Sequence, residues 1–156
     1  MKIKILDATM PGIGFSTKGS VGMDMRACSF NGNAMDEYVL EPGKKVSIGT
    51  GVVVDMSTVS STCGAILLPR SGLGTKHDLV LANTIGLIDT DYHGEIIAVM
   101  KNDSNVAFTI KRHDRVAQLA LLSFVKPETL EVVDEFDTAA EFTERGSNGF
   151  GSTGKE

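Results

Sequence analysis

The feature that most limits the fold of this chain is a two-residue alternation of aliphatic side chains within short segments. Side chains two residues apart point to the same face of an extended strand, so each such pair marks a strand with one apolar face. The pairs are Ile3 and Ile5, Val46 and Ile48, and Ile97 and Val99. The β-branched run at residues 51–54 is a further strand signal.

Clusters of turn-forming residues separate these segments. They are Glu41-Pro42-Gly43, Asn31-Gly32-Asn33 and Lys101-Asn102-Asp103. Helical periodicity is weak, and only residues 71–77 and 57–62 are predicted to form a helical turn or two. Many short strands joined by turns are typical of an all-β domain, so we predict a sandwich or jelly roll.

Charge and cysteine content restrict the partners and the compartment. The 156 residues carry a formal net charge of -5, which disfavours a nucleic-acid groove or an anionic membrane surface. Two cysteines, Cys28 and Cys63, are too few for a disulfide framework. The N-terminal segment lacks the apolar run of a signal peptide, and no segment approaches the roughly 20 apolar residues of a membrane span. We expect a cytoplasmic protein, or a nuclear one in a eukaryotic or virus-infected host.

The composition changes near residue 138. We predict a β domain over residues 1–137 and a mobile C-terminal arm over residues 138–156, because the arm has too little apolar surface to pack as a strand. Within the arm, Arg145 has a planar guanidinium group that can bind a phosphate with two hydrogen bonds, and Phe150 has an apolar ring face that can stack on a nucleotide base. The arm is therefore either a solvated tail or a segment that closes over a nucleotide.

Two internal segments carry side chains suited to a phosphorylated ligand. Arg70, Ser71 and Gly72 stand at the predicted start of a helical turn, where backbone N–H groups can bind an anion. Residues 83–95 place polar groups in a strand, turn, strand arrangement, and an aspartate there can accept a proton from water. These groups are Asn83, Asp89, Asp91 and Tyr92. The plainer interpretations are a surface loop for the first segment and turn residues for the second.

Two polar residues stand alone among apolar neighbours on predicted strands. A buried amide at Gln118 would need a ligand or a backbone group as its partner, and Asp24 would need a charged partner or a cation. The three histidines, His77, His93 and His113, show no metal-ligand spacing, and no zinc site is predicted from them.

Taken in order, these segments resemble the five sequence motifs of the trimeric dUTPase family, over nearly the whole chain. Five motifs in the family's order and spacing are far more specific than any one of them. They are Gly22-Met23-Asp24-Met25-Arg26, Pro69-Arg70-Ser71-Gly72-Leu73, Gly86-Leu87-Ile88-Asp89-Thr90-Asp91-Tyr92-His93-Gly94-Glu95, Arg115-Val116-Ala117-Gln118-Leu119, and residues 145–154.

The resemblance implies a jelly-roll subunit, the dUTPase-like β-clip barrel, assembled as a homotrimer with active sites between subunits. It implies hydrolysis of dUTP to dUMP and pyrophosphate, which keeps uracil out of DNA and supplies dUMP for thymidylate synthesis. Asp89 is then the general base for water attacking the α-phosphorus, and Asp24 holds Mg²⁺ through water. The arm of one subunit closes a site formed by others.

The same resemblance assigns the substrate-binding residues. The segment from Asn83 to Tyr92 reads uracil, and Tyr92 stacks on the deoxyribose and leaves no room for a 2′-hydroxyl. The assigned residues are Arg70, Ser71, Gly72 and Gln118 for the phosphate chain, Asn83, Gly86, Ile88 and Tyr92 for the nucleoside, and Arg145, Phe150, Gly151 and Ser152 from the arm.

Three departures from the family pattern and two rival functions accompany this interpretation. Met23 stands where many relatives have an aromatic or aliphatic residue, and Asn148 stands where the tail usually has glycine. Asp78 stands where the family commonly has glycine. A dCTP deaminase resembles the family in fold, and Glu95 is the candidate to activate water at the ring. The second rival is a nucleotide-dependent module that binds a regulatory protein through Cys28–Tyr38, the least family-like segment.

Overall fold

The computed structural model describes residues 1–135, and within that range it contains eleven strands and one short helix. The strands are β1 (Lys2–Ile5), β2 (Gly22–Arg26), β3 (Ser29–Phe30), β4 (Glu37–Leu40), β5 (Lys45–Asp55), β6 (Cys63–Pro69), β7 (Leu79–Leu81), β8 (Gly86–Ile88), β9 (Glu95–Asn102), β10 (Phe108–Lys111) and β11 (Arg115–Ser123). The helix is α1 (Ser71–His77), at the predicted position. No helix in the described range is long and apolar enough to cross a membrane.

The strands pair only in the antiparallel sense within the described range. One sheet has the order β2, β11, β6, β8, and a second has the order β1, β5, β9, β7 with β3 also paired to β5. Strands β10 and β4 form a two-stranded ribbon. Neighbouring strands come from distant parts of the sequence, as in a jelly roll, and the predicted fold class is confirmed.

The long strand β5 supplies much of the core. Its inward side chains alternate along the strand and are buried, from Val46 to Val54. The strand bulges at Gly51, whose φ of 68° lies in the left-handed region that glycine adopts without strain. The bulge turns the Gly51 N–H toward Glu95, whose Oε1 accepts a hydrogen bond from it at 2.6 Å.

Turn chemistry fixes the tight turn that follows β3. Asn31 and Gly32 both have positive φ, 51° and 79°, which is the requirement of a type I′ turn. Phe30 and Asn33 exchange backbone hydrogen bonds across it at 2.9 and 3.0 Å. The predicted turn at residues 31–33 is therefore confirmed.

Two local predictions are wrong. Residues 57–62 form turns and no helix. Lys101 and Asn102 end β9, and the chain bends only afterwards, at residues 104–106. Asn102 belongs to the core because its Nδ2 donates to the carbonyl oxygens of Leu40 and Val106 at 2.9 and 2.8 Å.

The chain divides into two compact units, residues 1–125 and residues 126–156. The first contains all the strands described above. In the second, residues 126–135 contain no helix or strand. The predicted boundary between residues 137 and 138 stays a prediction, since it lies outside the described residues.

Candidate active site

Asp24 is the centre of a charged cluster at one end of the four-stranded sheet. Its Oδ1 accepts a hydrogen bond from Arg70 Nε at 3.0 Å, and its Oδ2 accepts from Arg115 Nη1 and from Ser16 Oγ, both at 3.2 Å. The Asp24 side chain is 16% exposed. The carboxylate that the sequence places alone on an apolar strand is thus paired with two cations, as its burial requires.

Strand register brings these residues together. Asp24 of β2 lies directly opposite Gln118 of β11, so both side chains are on the same face of the sheet. Strand β11 also pairs with β6, whose last residue precedes Arg70. A Cβ built on Gly22 would lie 3.0 Å from Gln118 Oε1, so glycine at this position gives the amide its room.

The cluster opens into a cleft of about 380 Å³, within the range of small-molecule sites. Two arginines and one aspartate give its wall a local positive charge, in contrast to the net charge of the chain. Such a wall attracts an anion. Its lining residues are Ser16, Gly19, Ser20, Val21, Gly22, Asp24, Arg70, Arg115 and Gln118.

The start of α1 borders this cleft through Arg70, its N-cap residue. Arg70 has extended backbone angles, φ −86° and ψ 132°, and its carbonyl accepts the first helical bonds, from Leu73 and Gly74. The N–H groups of Ser71 and Gly72 in the first turn have no acceptor inside the helix. A Cβ built on Gly72 would meet no heavy atom within 4 Å, so open space lies in front of this turn.

The segment predicted to read the base forms a second group. Gly86 is buried, and a Cβ on it would lie 3.2 Å from Leu67 Cβ and 3.6 Å from Asn83 Nδ2. A larger residue would therefore press first on Leu67, while the Asn83 amide lies at an ordinary contact distance. Strand β8 lies inside this segment and pairs with β6, whereas β7 before it and β9 after it belong to the other sheet. The predicted strand, turn, strand arrangement is therefore not a paired hairpin, because the segment crosses between the two sheets.

A tight turn after β8 holds Asp89 and Tyr92 together. The carbonyl of Asp89 accepts a hydrogen bond from Tyr92 N at 3.2 Å. The Tyr92 hydroxyl donates to the Glu95 carbonyl at 2.9 Å, and its ring covers Gly94 so closely that a Cβ there would overlap the phenol oxygen. The ring is thus fixed, while the side chains of Asp89 and Tyr92 stay exposed.

The two groups lie at opposite ends of β6. Ile88 pairs with Ala65, so Asp89 lies level with Gly64, whereas Arg70 follows the other end of the strand. Arg70 is six positions along the chain from Gly64, which is about 20 Å of extended chain. One chain therefore does not bring Asp89 and Arg70 to the same phosphate group.

Four predicted site residues, Arg145, Phe150, Gly151 and Ser152, lie outside the described residues. Conversely, sequence reasoning gave no role to Arg115 or Ser16, both of which contact Asp24. Strand alternation gave no signal for Arg115, because residues three apart face opposite sides of a regular strand. A bulge between Arg115 and Ala117 puts it on the same side as Gln118. Ser16 had no signal either, because only the fold brings its loop to Asp24.

Comparison with known proteins agrees with this geometry. The dUTPase family model matches residues 9–154. A deoxyuridine 5′-triphosphate nucleotidohydrolase of Idiomarina loihiensis is 42% identical over 160 residues, which covers 99% of this chain and 97% of the relative. A solved mutant dUTPase of Staphylococcus bacteriophage 80alpha with dUpNHpp has a TM-score of 0.79 and 27% identity, covering 98% of this chain and 97% of that one.

A further solved structure is described as showing the coordination of a structural Mg(II) ion. It is a mutant dUTPase from phage phi11 of S. aureus, with a TM-score of 0.73 and 24% identity over 88% of this chain and 98% of that one. At that identity the likeness shows the fold alone.

Proposed function

Because the chain belongs to the dUTPase family, we propose that it hydrolyses dUTP to dUMP and pyrophosphate in a site built from the Asp24 cleft and the Asp89 turn. The reaction keeps uracil out of DNA and supplies dUMP for thymidylate synthesis, in the cytoplasm or the nucleus. The observation that carries the proposal is the convergence of Asp24, Arg70, Arg115 and Gln118 on one positively charged cleft at the start of a helix.

The cleft suits the triphosphate chain. Arg70 and Arg115 supply charge. The N–H groups of Ser71 and Gly72, which have no acceptor inside the helix, supply donors that cost no rearrangement during the reaction. Gln118 has its amide at the same wall. When phosphate oxygens enter, they share the two arginines with Asp24, which holds the guanidinium groups in place beforehand.

The exposed Asp89 carboxylate suits the general base. Water attacks the α-phosphorus in line, Asp89 accepts its proton, and the bond from the α-phosphorus to the bridging oxygen breaks as pyrophosphate leaves. Tyr92 is held by the Glu95 carbonyl, so its ring forms a rigid wall against the deoxyribose. Gly86 and Ile88 carry the backbone that faces uracil beside Asn83, and Arg145, Phe150, Gly151 and Ser152 of the arm would cover the nucleotide.

The residues of the cleft fit an indirectly held Mg²⁺. Among the residues that line the cleft, Asp24 supplies one carboxylate, and one carboxylate cannot bind Mg²⁺ directly on all sides. Mg²⁺ keeps several waters when phosphates supply its other ligands. Asp24 and Ser16 would therefore hold the ion through water. When bound, Mg²⁺ neutralises charge on the phosphate oxygens.

The separation of about 20 Å between Asp89 and Arg70 along β6 supports a site shared between chains. A second copy must bring its Asp89 turn to the cleft of the first. Such a head-to-tail contact closes into a ring, which we propose is a homotrimer.

The activity is tested by pyrophosphate release from the eight common nucleoside triphosphates, with and without Mg²⁺. We expect release from dUTP alone and only with the metal. Asp89→Asn should abolish turnover and leave dUTP affinity largely intact. Near wild-type turnover in that variant would exclude Asp89 as the base.

The shared site is tested by mixing two inactive variants, Asp89→Asn and Arg70→Gln, through co-refolding. If each site takes Asp89 from one chain and Arg70 from another, random trimers regain about a quarter of the sites. Refolding either variant alone is the matched control. A mixture that stays inactive, with wild-type protein recovering fully under the same protocol, would place both residues in one chain.

The geometry disfavours the dCTP deaminase alternative. Glu95 Oε1 is bonded to the Gly51 N–H at the β5 bulge, and Glu95 is only partly exposed. It therefore has a structural partner. Ammonia release from dCTP without pyrophosphate would reverse this conclusion. The regulatory segment Cys28–Tyr38 forms β3, its turn and the start of β4, and its binding role stays a prediction.

A further inference from the structure

A cluster of potential metal ligands lies outside the nucleotide cleft. Asp7 follows β1, Cys28 lies between β2 and β3, and His113 is in the turn between β10 and β11. One ligand atom of each residue lies within 4.8 Å of those of the other two. None of the three has a part in the proposed nucleotide chemistry, and their sequence spacing forms no metal-binding motif.

The cluster is compact and largely shielded from water. His113 Nε2 lies 3.2 Å from Asp7 Oδ2, and the Cys28 Sγ lies 3.6 Å from the Met10 sulfur. Cys28 is 6% exposed, while the side chains of Asp7 and His113 are 12% and 24% exposed. Burial raises the pKa of the Cys28 thiol to about 11, and the thiol donates to the Thr50 carbonyl at 3.2 Å.

The backbone holds the cluster in position. His113 has a positive φ of 67°, its N–H donates to the Ala27 carbonyl at 2.6 Å, and its carbonyl accepts from Arg26 Nη1 at 2.8 Å. The Cys28 N–H donates to the Gly49 carbonyl at 2.8 Å. These bonds direct the imidazole and the thiol to the same point without help from a ligand.

The Asp7 carboxylate is oriented from behind. Its Oδ1 accepts from the Thr9 N–H and hydroxyl at 2.9 and 2.6 Å, and Arg112 Nη2 donates to Oδ2 at 2.7 Å. A carboxylate oxygen has room for a second partner, and donors behind a ligating carboxylate are a usual part of metal sites. The second partner of Oδ2 in this structure is His113 Nε2 at 3.2 Å, so an ion between these two atoms would replace that contact while Arg112 keeps its own.

We propose that Asp7, Cys28 and His113 bind one Zn²⁺ ion per chain, with water as a fourth ligand. Oxygen, sulfur and nitrogen ligands suit zinc, whereas Mg²⁺ prefers oxygen alone. Zinc bonds of about 2.0 to 2.3 Å place tetrahedral ligands roughly 3.3 to 3.8 Å apart. The Asp7 to His113 distance is already close to that spacing, and binding releases the Cys28 proton to solvent.

Such an ion would tie the loop after β1 to the turn before β11. It would stabilise the barrel independently of nucleotide, because its ligands lie outside the cleft. The site is distinct from the water-mediated Mg²⁺ position at Asp24 in both ligand type and location.

The test uses full-length protein stripped with EDTA and titrated with Co²⁺, whose bonds to thiolate give a charge-transfer absorption band. We expect a saturable band at one Co²⁺ per chain, removed by Zn²⁺ and unchanged by excess Mg²⁺. Cys63→Ser is the matched control, because Cys63 is also free and buried; it should keep the band, whereas Cys28→Ser should lose it.

His113→Gln gives a second arm that does not alter the thiol. It should weaken Co²⁺ binding at least tenfold and abolish the rise in thermal midpoint that Zn²⁺ gives the wild-type protein. No saturable band in the wild-type protein, or an equal band in Cys28→Ser, would overturn the proposal and leave the three residues as a hydrogen-bonded network.

Discussion

Replacing Gly72 with alanine should separate nucleotide binding from folding. A Cβ at this position meets no heavy atom within 4 Å, so the described chain does not itself require glycine there. The proposed function places a phosphate against the Gly72 N–H, where a methyl group would obstruct its approach. Losing one charge-assisted hydrogen bond costs about 1.5 to 3 kcal/mol. The kcat/KM for dUTP should therefore fall roughly 10- to 150-fold.

The matched control is Gly74→Ala in the same helix. The Gly74 N–H is bonded to the Arg70 carbonyl, and a Cβ there makes only an ordinary contact of 3.8 Å with the Leu79 carbonyl. Both variants remove a helical glycine, so neither should lower the thermal midpoint. Pyrophosphate release and thermal unfolding are measured on both. Wild-type kcat/KM in Gly72→Ala, or an equal loss in Gly74→Ala, would refute the assignment of the phosphate seat.

Three further predictions concern stability at fixed chain concentration. Asn102→Ala leaves buried carbonyl partners unsatisfied and should cost about 2 to 4 kcal/mol in urea unfolding; a loss under about 1 kcal/mol would contradict this. Asp78 ends α1 with φ 51°, so Asp78→Gly should gain about 0.5 to 1 kcal/mol, and no gain would count against strain there. Hydrogen bonds from Thr9 and Arg112 hold the pKa of Asp7 well below its ordinary value. The stabilisation from these bonds is complete above about pH 4 and is lost as the pH falls below it. The thermal midpoint of the wild-type protein should therefore fall more steeply from pH 4 to 2 than that of Asp7→Asn. Parallel curves for the two proteins would refute this.

Local signals in the sequence predicted the fold class because strand alternation and turn chemistry act over a few residues. Asn31 and Gly32 adopt positive φ for local reasons, because asparagine tolerates that region and glycine has no Cβ to clash there. Asn102 was predicted to be a turn residue because asparagine is common in turns. Its buried hydrogen-bond partners, such as the Leu40 carbonyl, are known only from the fold. Tertiary contacts override local preference at such a position.

The candidate site was predictable only in its parts. The motifs marked Asp24, Arg70 and Gln118, but their convergence depends on strand register that no local pattern specifies. At Asp78, by contrast, one backbone angle of the structure explains a residue that departs from the family pattern. Glycine is common there because the helix ends in the left-handed region, and aspartate is among the residues that tolerate it.

Exposed apolar side chains beside the Asp89 turn and on β9 also bear on the proposed shared site. Leu87 and Ile97 are 62% and 48% exposed, although their strand neighbours Gly86 and Ile96 are buried. The alternation predicted at β9 is therefore real, but Ile97 lies on the side away from the core. Leu87 and Ile97 belong to different sheets, so only Leu87, two residues before Asp89, is placed beside that turn. A second copy that covered Leu87 would bury its side chain and would also carry its phosphate cleft toward Asp89. In the proposed trimer, apolar burial at Leu87 and the catalytic geometry at Asp89 would then depend on one contact between copies.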